Sequence, residues 1–345
     1  MIEQQPESVQ LLYSQLLDEL LRAAYSPRGI TFVTRNVKGN DYHYMNYVIG
    51  SSRRSYYLGP DDNDLRARIL AAEERWRREE SSTLERARLV SMLRQGGCVI
   101  LPAGHGRVLE ALEQAGVFVV GGVLVGSHAF ALMANALGVK WKQALLRTQD
   151  VDIAHDYDIH VTVPQLEIDV ESALETADKG FFAVPSLNHK HPSTSFKVRG
   201  KELSVSLLTP MRGRPDPGPR RIPSLNAMAE PLRFLEYLLD DIQPAALPAR
   251  NGVLVNIPSP ARFALHKLVV SQRRPPAFHT KARKDIAQAQ EVLRVLFDDR
   301  PGDIALALDA AHQMPPKFMV QLRQGVTQLD QETRELLESF LDRTE

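Results

Sequence analysis

"VGSHAFALMANALGVKWKQALLRTQDVDIAHD", residues 125–156, carries the most informative pattern in the chain. An apolar run ends in Gly126-Ser127, a helix-like stretch follows, and Asp150 and Asp152 then stand one residue apart in a short β-prone segment. Carboxylates at i and i+2 of a strand project to the same face, a few ångströms apart. Like charges at that spacing raise each other's pKa unless a cation sits between them. Hard divalent ions bind through one or two carboxylates and share the rest of their shell with water and substrate phosphates. A glycine turn at a helix start lets backbone N–H groups approach a phosphate, and the Ser127 hydroxyl adds a donor. The combination describes a site for a metal-bound triphosphate. The competing reading is a pair of aspartates at a strand edge facing water. The Gly-Ser turn upstream, with Val151 and Ile153 in the strand, favours the site.

Outward from this stretch, 98–102 (CVILP) reads as a short buried strand, 104–116 as a helix and 117–126 as a second strand. Residues 127–137 read as a helix and 150–163 as a strand, with a helix over 165–180. The stretches 193–200 and 201–210 pair as a hairpin that Pro210 ends. Before this core, leucines at helical spacing over 8–24 predict a helix, and 29–60 predicts a three-strand meander. The meander carries aromatics on both faces, which favours a covered sheet over a nucleic-acid stacking platform. Residues 61–97 form a long charged helix or helix pair with Gly96-Gly97 as its stop. After the core, 211–224 is a Pro-, Gly- and Arg-rich linker. Helices are expected over 231–242, 260–274, 281–299 and 332–344, interrupted by a strand at 252–258. The expected division is 1–96, 97–215 and 216–345.

The chain has 345 residues, enough for two or three domains. Forty-two basic residues balance forty-two acidic ones, which argues against a general nucleic-acid-coating role but leaves room for local basic patches. The single cysteine, Cys98, permits no internal disulfide and reads as a small buried residue, consistent with a reducing cytoplasm. The N-terminal "MIEQQPESVQLL" has no basic stretch followed by an apolar one, so a secretory signal is not expected. The apolar run 116–139 is broken by glycines, Ser127, His128 and Asn135, and reads as strand, turn and helix rather than a membrane span. The expectation is a cytoplasmic enzyme with no membrane partner.

The pair "VLVGSHAFALMANALGV" and "TQDVDIA" resembles the signature of the polymerase-β-type nucleotidyltransferase superfamily. Over nearly its full length the chain resembles a largely uncharacterised bacterial family with that fold. The matching motifs are "KGxxYxYxxY…YLGP" at 38–60, "LLTP" at 207–210 and "PARFALHKL…R…K..KD" at 260–285. The resemblance implies an α+β fold, with a polymerase-β-like nucleotidyltransferase core of small mixed sheet and helices. An N-terminal helix and meander and a C-terminal helical region would flank it. It further implies an NTP donor such as ATP, two divalent ions (Mg²⁺ or Mn²⁺) and transfer of a nucleotidyl group to a hydroxyl. Asp150 and Asp152 would be the catalytic and metal-holding residues. Gly126 and Ser127, with Lys267, Lys281 and Lys284 of the C-terminal block, would bind the nucleotide.

One position departs from the family pattern. The strand that normally supplies a third carboxylate reads Val205-Ser206-Leu207-Leu208-Thr209-Pro210, with Ser206 where the acid is expected. That acid holds the ion which activates the attacking hydroxyl, and serine is a neutral, weaker ligand. Glu202 lies too far back along the strand to substitute. Asp156 and Asp158 would continue the acid face if the strand stayed regular, and otherwise read as solvated. His266, on a largely apolar helix, reads as a packing residue. Two functions follow: a transferase acting on an RNA, protein or small-molecule hydroxyl, or a nucleotide- or partner-binding protein with weak or no catalysis. A plain interaction protein is the third possibility.

Overall fold

The computed structural model describes residues 2–24, 30–49, 52–146, 148–158, 168–185, 192–214 and 218–342. The chain opens with β1 (Glu3–Gln4) and α1 (Glu7–Ala24). Val9, Tyr13, Leu16 and Leu20 recur at helical spacing along α1 and are all buried. Next come β2 (Ile30–Val37), β3 (Asn40–Ile49) and β4 (Ser52–Pro60), an antiparallel meander as the pattern predicts. α2 (Asn63–Gln95) is one unbroken helix, capped where Asp62 accepts from the Leu65 N–H, and it stops at Gly96.

The expectation of a covered meander is corrected. Tyr57 is 57% exposed and Val37 45%. The sheet is anchored at one end, where Gly59 packs against the buried Leu65 of α2 and His43 Nε2 lies 2.7 Å from Asp61 Oδ1.

The central stretch follows with α3 (Ala103–Gln114), β5 (Val123–Val125), α4 (Gly126–Ala136), β6 (Val139–Lys140), α5 (Gln143–Leu146) and β7 (Asp150–Ala154). Then come α6 (Val170–Ala177), β8 (Phe181–Ala183), β9 (Ser195–Val198), β10 (Ser204–Pro210), β11 (Arg220–Ile222) and β12 (Ala227–Leu232). Seven of these strands form one mixed sheet with the path β11-β12-β10-β7-β5. β7 runs parallel to β10 on one side and antiparallel to β5 on the other. The far edge of β10 is shared by β9, antiparallel along its start, and β12, parallel along its end. The fold is therefore α+β, as expected.

Several element readings change. Residues 98–102 form no strand, and 117–122 are turns rather than the first part of β5. At Gly122 an added Cβ would lie 2.6 Å from the Val117 carbonyl oxygen, so the chain folds back on itself there. β7 ends at Ala154, with the continuation predicted over 159–163 outside the described residues. The linker contains β11, and 231–242 supplies the end of β12 and a short helix, α7 (Leu235–Leu239), instead of one helix. Proline at 231 stops no helix, because it occupies the sheet's outer region, where a lost donor is tolerated.

The remainder is a hairpin, β13 (Ile242–Leu247) with β14 (Val253–Pro258), then α8 (Pro260–Ser271) and α9 (His279–Asp299). The chain closes with α10 (Pro301–His312), α11 (Pro316–Val326) and α12 (Gln331–Leu341). Val205 of the sheet, Phe130 of α4, Phe263 of α8, Leu293 of α9 and Phe318 of α11 belong to one continuous core. α4 is buried from His128 to Asn135, which explains the apolar character of this stretch without a membrane. No helix among the described residues is long and apolar enough to cross one.

Candidate active site

Alternation in β7 buries Val151 and Ile153 and leaves Asp150 and Asp152 half-buried on the opposite face. The parallel register places Ser204 beside Asp150 and Ser206 beside Asp152. The Ser204 hydroxyl donates to Asp150 Oδ1 at 2.6 Å. On the other side Val125 is the register partner of Asp152, so the turn into α4 starts level with that carboxylate. Gly126 takes φ +68, and a Cβ there would sit 2.5 Å from Asp152 Oδ2. Only a residue without a side chain leaves this carboxylate accessible at the helix start. Burial, then the Asp150 charge, pushes the Asp152 carboxyl up to about 6, against the pull of Lys267, Lys281 and Arg274.

Such a pair, held side by side with bare backbone against it, fits a hard divalent ion that completes its shell with water and phosphate. Among the described residues no group of three or more His, Cys, Asp or Glu is arranged to hold a metal, so the chain offers two carboxylates rather than a cage. Asp156 and Asp158 do not extend the acid face, nor are both solvated. The strand ends before them, Asp156 is buried, and Arg212 binds both, donating through Nη2 to Asp156 Oδ2 at 2.5 Å.

The C-terminal lysines differ from one another. Lys281 Nζ stands 4.0 Å from Asp150 Oδ2 and is exposed. Lys284, one turn along α9, is half-buried; burial first, with Lys267 adding to it, holds its ammonium below the usual range. Lys267 is buried and donates to Asp285 Oδ1 at 2.5 Å, while Arg274 Nε donates to Asp285 Oδ2 at 2.8 Å. Two cations thus share one carboxylate, and Lys267 still pulls on Asp152 from that cluster. His266 is buried, and burial holds its imidazole down at about 3, the packing role its sequence setting suggested.

Three features carried no sequence signal. Gln288 of α9 is fully buried and donates to Ser127 Oγ at 3.3 Å and to the Leu145 carbonyl at 3.0 Å, tying the glycine turn to the lysine-bearing helix. His105 of α3 and His128 of α4 meet at 3.0 Å, one ring nitrogen donating to the other. Both are buried, and burial lowers both pKa values, His128 to about 3. Beside them a cleft of about 520 Å³ reaches to Gln149, next to Asp150, with Val99, Leu101, Trp141 and Leu146 in its walls. Cys98 also lines it and is buried, its thiol pushed up to about 12, which removes it as a nucleophile.

No curated protein and no solved structure matches this chain. Residues 103–313, from the start of α3 through α10, match the nucleotidyltransferase family, and the chain belongs to that family.

Proposed function

We propose that the chain transfers a nucleotidyl group from an NTP to an acceptor hydroxyl, using Mg²⁺ or Mn²⁺ held by Asp150 and Asp152. The observation that carries this reading is the placement of both carboxylates on one face of β7, with the bare backbone of Gly126 against Asp152. A bound divalent ion would neutralise triphosphate charge and polarise the phosphorus under attack. The protein's own groups do the rest. The N–H groups at the α4 start and the Ser127 hydroxyl face the phosphates. Lys281 and Lys284 add positive charge from α9, and Ser204 orients Asp150. The acceptor oxygen attacks the α-phosphorus, its proton passes to water, and pyrophosphate leaves with the electrons of the broken P–O bond. The cleft beside Asp150 gives room for an organic portion of either substrate.

The test is transfer of label from each of the four α-³²P NTPs, with Mg²⁺ or Mn²⁺, to RNA, protein and small-molecule fractions. Label incorporated by the wild type and lost in Asp150→Asn/Asp152→Asn supports the reading. Equal incorporation by both refutes it.

Ser206 favours a second reading, a nucleotide-binding protein with slow or no transfer. It stands in register with Asp152, at the position where the resemblance implies a third carboxylate. Thermal stabilisation by NTP without label transfer would select it.

A further inference from the structure

The meander carries a surface that the acid site does not use. Arg35, Tyr42, Tyr44 and Tyr57 share one face of the three strands. Tyr44 is the register partner of Val33 and Tyr57, and Tyr42 that of Arg35. The Tyr44 and Tyr57 rings lie 5.6 Å apart and the Tyr42 and Tyr57 rings 6.0 Å. The Arg35 guanidinium sits 4.8 Å over Tyr44. Tyr57 is more than half exposed, and Tyr42 and Tyr44 are half-buried, each with its ring against that of Tyr57. His43, the alternate residue of β3, points the other way into the Asp61 and Arg66 anchor at α2. The sheet is thus fastened at one end through its opposite face, while this face presents a tyrosine cluster.

Five of the chain's nine tyrosines, 42, 44, 47, 56 and 57, fall in this segment. Residues 30–60 also hold four basic residues, Arg35, Lys38, Arg53 and Arg54, against one acid, Asp41, in a chain whose charges balance as a whole. We propose that this face binds single-stranded RNA, with bases stacking on Tyr44, Tyr57 and Tyr42 and phosphates meeting Arg35. Aromatic rings accept any base, because every base has a π face, and cationic groups beside them track the backbone. A second copy fits less well, since face-to-face packing would bring Arg35 of each copy towards the other. The inference stands independently of nucleotidyl transfer, because it uses none of the acid-site residues.

The test is fluorescence anisotropy of a labelled oligouridylate 20-mer with the full chain, in chelator and without NTP, at low and at physiological salt. The wild type is expected to bind it, and to bind an RNA duplex of equal length far less well. Tyr44→Ala and Tyr57→Ala should each weaken binding by about 5- to 100-fold. Tyr44→Leu and Tyr57→Leu preserve apolar volume if alanine unsettles the sheet, and should weaken it comparably at unchanged melting temperature. Arg35→Gln should flatten the log–log salt dependence by about 0.7. Asp150→Asn/Asp152→Asn should bind as the wild type does, which separates failure here from failure of the transferase reading. Binding no tighter than about 10⁻⁴ M overturns the proposal. So do leucine variants that bind normally, or a duplex that competes equally. A concentration-dependent dimer abolished by the tyrosine variants, with no RNA binding, assigns the face to a second copy and also overturns it.

Discussion

Gly126 leaves no room between its backbone and Asp152: an added Cβ would lie 2.5 Å from the carboxylate oxygen, at a φ of +68 that side chains avoid. Gly126→Ala is therefore expected to cost about 1–2 kcal/mol from the left-handed backbone alone. It should also remove the stabilisation that Mg²⁺ with a non-hydrolysable NTP gives the wild type. Differential scanning fluorimetry with and without the ligand pair measures both. A normal ligand shift in this variant would place the nucleotide away from the turn.

The acid pair repels itself when empty, and a divalent ion removes that cost. Asp150→Asn/Asp152→Asn should melt no lower than the wild type in chelator and show no shift with Mg²⁺ or Mn²⁺ and NTP. An undiminished shift in the double variant would move the site elsewhere.

Protonation acts on stability in two directions. The folded pKa of Asp152, about 6, lies above its ordinary value of 3.8, so its contribution is full below 3.8 and lost as pH rises through 6. His128 and His266 are held down at about 3, below the ordinary 6.5; their contribution is full above 6.5 and lost as pH falls towards 3. Between pH 5 and 7 two histidines outweigh one aspartate, so the melting temperature should rise with pH. Asp152→Asn should steepen that rise. A flat profile in the wild type would contradict these assignments.

Lys267 and Lys281 should separate by assay. Lys267→Ala strips a partner from the buried Asp285, and breaking a buried pair costs about 3–5 kcal/mol, towards the lower end here because Arg274 remains. Lys281→Ala, at an exposed position 4.0 Å from Asp150, should leave stability unchanged and weaken NTP binding. Isothermal titration calorimetry beside a melting curve reads both. A stable Lys267→Ala with weakened nucleotide affinity would return that lysine to the phosphates.

Ser206→Asp would place a carboxylate in register with Asp152. Label transfer should rise while nucleotide affinity changes little. The variant should melt lower in chelator and recover with Mg²⁺, since a third charge joins two others. A brisk wild-type transferase that this substitution slows would mean that another group completes the site.

Much of the central architecture was legible because period-two alternation is a local signal. Val151 and Ile153 against Asp150 and Asp152, and Val205 and Leu207 against Ser204 and Ser206, fix which face each strand shows before any neighbour is known. The alignment of Ser206 with Asp152 follows from two such patterns brought into register. The run 117–122 misleads for the opposite reason. Apolar residues in a buried turn look like those in a buried strand, and only the contact at Gly122 distinguishes them. Gln288 and Ser127 are 161 residues apart, and His105 and His128 sit on separate helices. No spacing rule joins such pairs; the tertiary fold does. The meander's exposure was misread because aromatic content predicts burial only when another layer exists to supply it.

The first helix has a practical consequence for anyone shortening the protein. Gln5 Nε2 donates to Asn135 Oδ1 and to the Val139 carbonyl, inside the segment that matches the family. Tyr13 accepts the Ala246 N–H, also within it. A fragment cut at residue 103 would lose the Val99 backbone that satisfies Asn135, strand these interior groups without partners and bare the apolar patch under Val9, Leu16 and Leu20. The boundary of recognisable ancestry is therefore the wrong boundary for expression, and a minimal working unit must keep the leading helix.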